Sequence, residues 1–171
     1  VILAYGATTD YLRASDFGFA IPIGAVINGI VAEFERLQDV PGEFFGTLLD
    51  SSIKIVKGGA ETGTDQSTGA SWPATETYTS FGGASNLWGA TWTAADINDP
   101  GFGVSCKAIN NGGTEYSNQA YIDHVRITVY YTVPVSGSFT ANAVLTTGAG
   151  YGQFTAAAIL KKTRSGSFTA N

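Results

Sequence analysis

From Tyr121 to Val133 the chain reads YIDHVRITVYYTV, and apolar and polar positions alternate with a period of two. Val125, Ile127, Val129 and Tyr131 share one parity, and His124, Arg126, Thr128 and Tyr130 share the other. That is the pattern of a strand with one buried face. Its β-branched and aromatic content, without Gly or Pro, marks it as a central strand. A second long strand is predicted from Ala25 to Leu37, after a turn marked by Pro22 and Gly24. Its parity sets Ile30, Ala32 and Phe34 on one face and Val31, Glu33 and Glu35 on the other, so one face meets solvent. Shorter strands are expected at Val1–Tyr5, Tyr11–Ala14, Ser52–Lys57, Thr77–Phe81 and Phe102–Ile109.

The connections are rich in turn formers. Residues 38–49 read as a loop containing Pro41, Gly42 and Gly46, in which the paired Phe44 and Phe45 are out of place in solvent and suggest a contact surface. Residues 61–78 (ETGTDQSTGASWPATETY) read as a polar loop. Thr93–Asn98 is the one helical fragment: Thr93 suits the N-cap, Asp96 suits the positive helix start, and Pro100 and Gly101 end it. Asn110–Gly113 is a tight-turn signal. Short strands, glycine-rich connections and one helical turn predict an all-β protein, an antiparallel β-sandwich of jelly-roll-like type, over residues 1–133.

Beyond Val133 the text changes. Ser136–Asn142 reads SGSFTAN, Tyr151–Ala157 reads YGQFTAA, and Ser165–Asn171 reads SGSFTAN again, with Phe139, Phe154 and Phe168 spaced 15 and then 14 residues apart. Each unit leads into an apolar strand-length run, Val144 and Leu145 in the first and Ile159 and Leu160 in the second. Such a strand cannot build a core alone, so residues 134–171 are a strand-forming repeat segment whose apolar side must be covered by the sandwich, a neighbouring unit or another chain. The named Phe, Val, Leu and Ile residues, with Phe44 and Phe45, are the expected subunit contacts. The third copy stops before its apolar half and Val1 is no translation start, so a processed chain or part of a longer one is expected.

Charged residues make up 13% of the 171, about half the usual share, so neutral polar groups must cover much of the surface. With a net charge of -5 and no visible basic cluster, a nucleic-acid partner is not expected, because binding to phosphates depends on grouped Lys and Arg. No apolar run is long enough to span a bilayer as a helix, so no membrane insertion is expected. The single cysteine, Cys106, excludes an intrachain disulfide and a Cys-based metal cluster. It shares its parity with Phe102 and Val104 and reads as a small core residue.

The run YLRASDFGFAIPIGAVINGIVAEFER, followed by SIKIVKGG, LWGATWTAADINDPGFGVSCKA and AYIDHVRITVYYT, resembles a recurrent β-sandwich module of bacteriophage tail, fibre and other virion structural or surface proteins. The likeness covers about Tyr11 to Thr132, and the SGSFTANAVL-type units resemble short repeats that follow such modules. It implies a structural role in a virion or at a cell surface, with copies of the same chain and other structural proteins of the particle as partners. It carries no catalytic residues.

The residues themselves offer little chemistry. His124 is the only histidine, its neighbour Asp123 points to the opposite face of a strand, and no G-x-S-x-G motif supplies a nucleophile, so a structural cross-strand contact is expected of it. Asp96, Asn98 and Asp99 offer oxygens but lack the spacing of a calcium loop, and capping followed by a turn accounts for them. Glu33, Glu35 and Arg36 read as solvated strand-face charges. No pair of carboxylates stands out as a glycosidase pair, which leaves a hydrolase as the weakest reading. Trp72, Trp88 and Trp92, near Tyr78 and Phe81, either cover one end of the sandwich or form a platform for sugar rings. The expected function is therefore structural and non-enzymatic, without a cofactor. The alternative is a carbohydrate-binding or adhesive module that meets a host-surface glycan through those three tryptophans.

Overall fold

A computed structural model describes residues 1–39, 47–111, 118–134 and the main chain of 164–170. The two long strands pair with each other. β3 (Val26–Asp39) and β8 (Asn118–Val133) run antiparallel, from Val26 opposite Thr132 to Asp39 opposite Gln119. The faces follow the alternation: Ile30, Ala32, Phe34, Ile127 and Val129 are buried. β6 (Thr77–Gly83) pairs with the other side of β3, and β1 (Ile2–Leu3) with the outer side of β8.

The second sheet runs β2 (Leu12–Ser15), β7 (Gly103–Asn110), β4 (Leu48–Lys57), β5 (Ala60–Thr62). Its buried residues Leu48, Ile53, Ile55, Val104, Cys106 and Ala108 join those of the first sheet in one hydrophobic cluster. The pairing is nested. β4 meets β5, β3 meets β6, β2 meets β7 and β1 meets β8, all antiparallel. Only the link from β4 to β5 stays within a sheet; the other links among the first eight strands pass between sheets. The helix α1 (Ala94–Asn98) lies before β7, buries Ala94 and Ile97, and carries the expected cap as a full capping box between Thr93 and Asp96.

Three departures from the expected pattern share a cause, the β-bulge. In β8 the register slips at Asp123, since Glu35 faces His124 and Arg36 faces Ile122. The buried parity therefore changes from Ala120 to Val125, Ile127 and Val129 along one strand. In β4 a slip between Asp50 and Ser52 puts Leu48 and Asp50 on the core side before it and Ile53 and Ile55 after it. This breaks the alternation and explains why residues 48 and 49 read as loop. A third slip lies between Ile27 and Gly29. Two further corrections concern 61–78, where Ala60–Thr62 forms β5 and Trp72 is buried, so the stretch is not wholly an exposed loop.

The last strand is the third repeat. β9 (Arg164–Ala170) pairs antiparallel with β8, from Arg164 opposite Val133 to Ala170 opposite Ile127. Phe44, Phe45, Phe139, Val144, Leu145, Phe154, Ile159 and Leu160 lie outside the described residues.

Candidate functional site

One edge of β8 combines the features expected of a contact surface. β3 occupies one side of β8 from Gln119 to Thr132, so β1 and β9 must both lie on the other, β1 at residues 118–119 and β9 at 127–133. The edge under β9 reads Ile-Thr-Val-Tyr-Tyr-Thr-Val, without a charge or a proline. Such a strand left bare presents a row of unpaired N–H and C=O groups with no residue to discourage pairing. β9 covers it. Phe168 stands opposite Val129 in register, and Ser167 opposite Tyr130. Of the three covers expected for the repeats, the sandwich, a neighbouring unit or another chain, the third copy takes the first, pairing with β8 of its own chain.

The outer face of the same sheet carries a polar network. The Arg126 guanidinium donates to both oxygens of Glu33, at 2.6 and 3.0 Å, and lies 3.9 Å from the centre of the Tyr78 ring. Ser80 Oγ donates to Glu33 Oε1 at 3.0 Å. The hydrogen bonds from Arg126 hold the Glu33 carboxyl below its ordinary value, and those same bonds push Arg126 up. His124 Nδ1 sits 2.8 Å from Glu35 Oε2, its direct cross-strand partner, as the structural reading of His124 expects. Asp123, displaced by the bulge, instead acts on Glu76 and raises that carboxyl. These groups line an open sheet face, where the charges are solvated, and among the described residues no three His, Cys, Asp or Glu converge on a metal position.

Arg36 belongs elsewhere. It is 2% exposed, buried in the core, and its guanidinium forms a two-point pair with the Asp50 carboxylate. Arg36 Nε donates to Thr79 Oγ1 at 3.2 Å, and Trp72 Nε1 donates to Asp50 Oδ1 at 2.9 Å. The guanidinium carbon lies 4.6 Å from the Trp72 ring centre and 5.2 Å from that of Phe81. Arg36 is therefore no solvated strand-face charge. Its parity with Ile30, Ala32 and Phe34 was the signal for this.

The tryptophans also depart from a sugar platform. Trp72 and Trp88 are 2% and 0% exposed. Trp88 Nε1 donates to the Ile30 carbonyl at 3.0 Å, so the one polar atom of this buried ring is satisfied inside the core. Trp92 is half-buried, edge-on to Phe102, with Lys57 Nζ 5.3 Å from its ring centre and its own Nε1 donating to the Leu87 carbonyl. Large aromatic rings bury more apolar area than any other side chain, which outweighs their use at the surface here.

An apolar cleft of about 380 Å³ opens beside β2, β7 and the start of β8, lined by Val1, Tyr11, Leu12, Trp72, Cys106 and Ile122 among others. Burial pushes the Cys106 thiol up to about 12, so this sulfur is a core atom and not a nucleophile. The oxygens of the 96–99 stretch are committed to the fold. Asp96 Oδ2 accepts from Thr93 N and Oγ1, Asn98 Oδ1 accepts from Ile21 N at 2.7 Å, and Asp99 Oδ1 accepts from Gly101 N at 2.7 Å. No family model, no curated protein and no solved structure matches this chain, so its function must be argued from this edge, this face and this core.

Proposed function

We propose that the chain is a non-enzymatic structural component of a virion or a related extracellular assembly, a jelly-roll sandwich that joins copies of itself and other structural proteins through added strands and apolar contacts. The nested pairing supports the jelly-roll form: it describes one long antiparallel ribbon folded over so that successive strands alternate between two sheets. The observation that carries the functional reading is the pairing of a repeat segment with the uncharged edge of β8. Strand addition gives affinity through main-chain hydrogen bonds and specificity through alternate side chains. A sequence with three such segments is equipped to use that route more than once.

Removal of residues 136–171 tests this. The shortened chain is expected to keep the circular dichroism of a β protein and to lose self-association in sedimentation at high concentration. A shortened chain that associates as the full chain does would refute the proposal. The carbohydrate alternative has lost two of its three rings to the core, and nothing in the arrangement of Trp92 favours it.

A further inference from the structure

Thirty residues of sequence, 134–163, separate the last residue of β8 from the first of β9. Val133 and Arg164 are register partners at one end of the pairing. Two segments of one chain separated by some tens of residues meet at an effective concentration on the order of millimolar. A second copy at comparable local concentration offers the same acceptor edge on equal terms, because the bonds made are identical in either case.

We propose that the β8 edge from Ile127 to Val133 is an acceptor site for the Ser-Gly-Ser-Phe-Thr-Ala-Asn segment, and that it takes Arg164–Ala170 from a second copy of this chain as well as from its own. Two copies that exchange β9 are joined by two such pairings related by a twofold axis. The acceptor side is specified by the edge itself: seven consecutive β-forming residues with no charge or proline to repel a strand. The donor side is specified by composition, since the segment carries no charge between Ser165 and Asn171, and Ser165 to Ala170 all have register partners on β8. The sequence also encodes these seven residues twice in identical form, so donors outnumber the one register seen on β8. This inference rests on the assembly reading and names the edge and the strand that serve it.

Cysteine pairs placed in register provide the test. One full-length chain carries Tyr130→Cys, another carries Ser167→Cys, and a third carries both; Thr132→Cys and Ser165→Cys form a second set in case one pair has poor disulfide geometry. Buried Cys106 stays out of the exchange. After equal mixing and mild oxidation, the two single variants are expected to yield a disulfide-linked heterodimer whose fraction rises with concentration and reaches about a quarter of the chains near 1 mM, since half of the exchanged dimers pair like with like. The double variant is expected to close internally when dilute. If the double variant closes internally but mixing yields no heterodimer at any concentration, exchange is overturned while β9 remains a strand of its own subunit. If neither set cross-links in either arrangement, the β8 edge is not the acceptor. Sedimentation of the unmodified chain separates this from the wider reading: association without cross-linking rejects the exchange alone, and no association rejects both.

Discussion

Replacing Asp50 by alanine should unfold this protein more readily than any surface change, and the reason lies in what the substitution leaves behind. The Arg36 and Asp50 side chains are 1% and 0% exposed, so without the carboxylate a guanidinium remains in the core with Thr79 Oγ1 as its remaining polar partner among those described above. Breaking a buried pair from one side costs about 3–5 kcal/mol, because a charge stays out of water with nothing to offset it. Trp72 Nε1 loses its acceptor at the same time. For a chain of this size, such a loss lowers Tm by roughly 6–20 °C. Replacing both partners, as Arg36→Met with Asp50→Leu, should recover most of the loss, since a well-packed apolar pair is often as stable as the ion pair it replaces. Urea unfolding followed by fluorescence gives the midpoint, which should move at constant slope. Arg126→Ala is the control: its side chain is 35% exposed in its pair with Glu33, and its loss should cost less than about 1 kcal/mol. An Asp50→Ala protein within 1 kcal/mol of the parent, or a double variant as unstable as the two single losses added together, would show that the pair does not hold the core as argued.

Two glycines with nearly the same backbone angle should respond differently. Gly24 has φ +83° with nothing within 4 Å of a built Cβ, whereas at Gly82, φ +87°, that atom would lie 2.2 Å from the Ile30 carbonyl oxygen and 2.7 Å from Trp88 Nε1. Gly24→Ala is expected to cost about 1 kcal/mol, from backbone strain alone, and Gly82→Ala considerably more; equal melting temperatures would contradict this. At acid pH, Asp65 should contribute. Burial raises its carboxyl, but this is outweighed by bonds from Ile53 N, Ser52 Oγ and Ser67 N, so its folded value lies below the ordinary one. Its contribution is then complete above about pH 3.9, the unfolded value, and is lost as pH falls through the lower folded value. The stability gap between the parent and Asp65→Asn should therefore narrow below pH 4 in denaturation curves, and a gap independent of pH would count against that assignment.

Much of this molecule is local, and the local part could be read along the chain. Alternation alone located β3, β7 and β8 and assigned Ile30, Phe34, Cys106, Ile127 and Val129 to the core, since a strand's two faces follow from its own residues. Thr93 and Asp96 announced the helix start because a capping box is completed within four residues. The repeat pattern pointed to a strand in the apolar run after each Gly-containing turn, whereas β9 takes in the Ser-Gly-Ser stretch of the third copy itself. What the chain could not disclose was each strand's partner. Nested pairing joins segments more than a hundred residues apart, such as β1 and β8, and no local pattern encodes that. A bulge adds one residue and reverses the faces after it, so Asp50 and Leu48 were missed and Ala120 lay on the opposite parity from Val125. Arg36 can be buried only because Asp50 arrives from the other sheet, and Trp72 and Trp88 are buried only because loops fold over the core. The edge of β8 likewise becomes an acceptor only when β3 has taken one side and β1 covers so little of the other. Periodicity along a chain records which side of a strand avoids water, whereas charge compensation, ring burial and edge coverage depend on groups that only folding brings within reach.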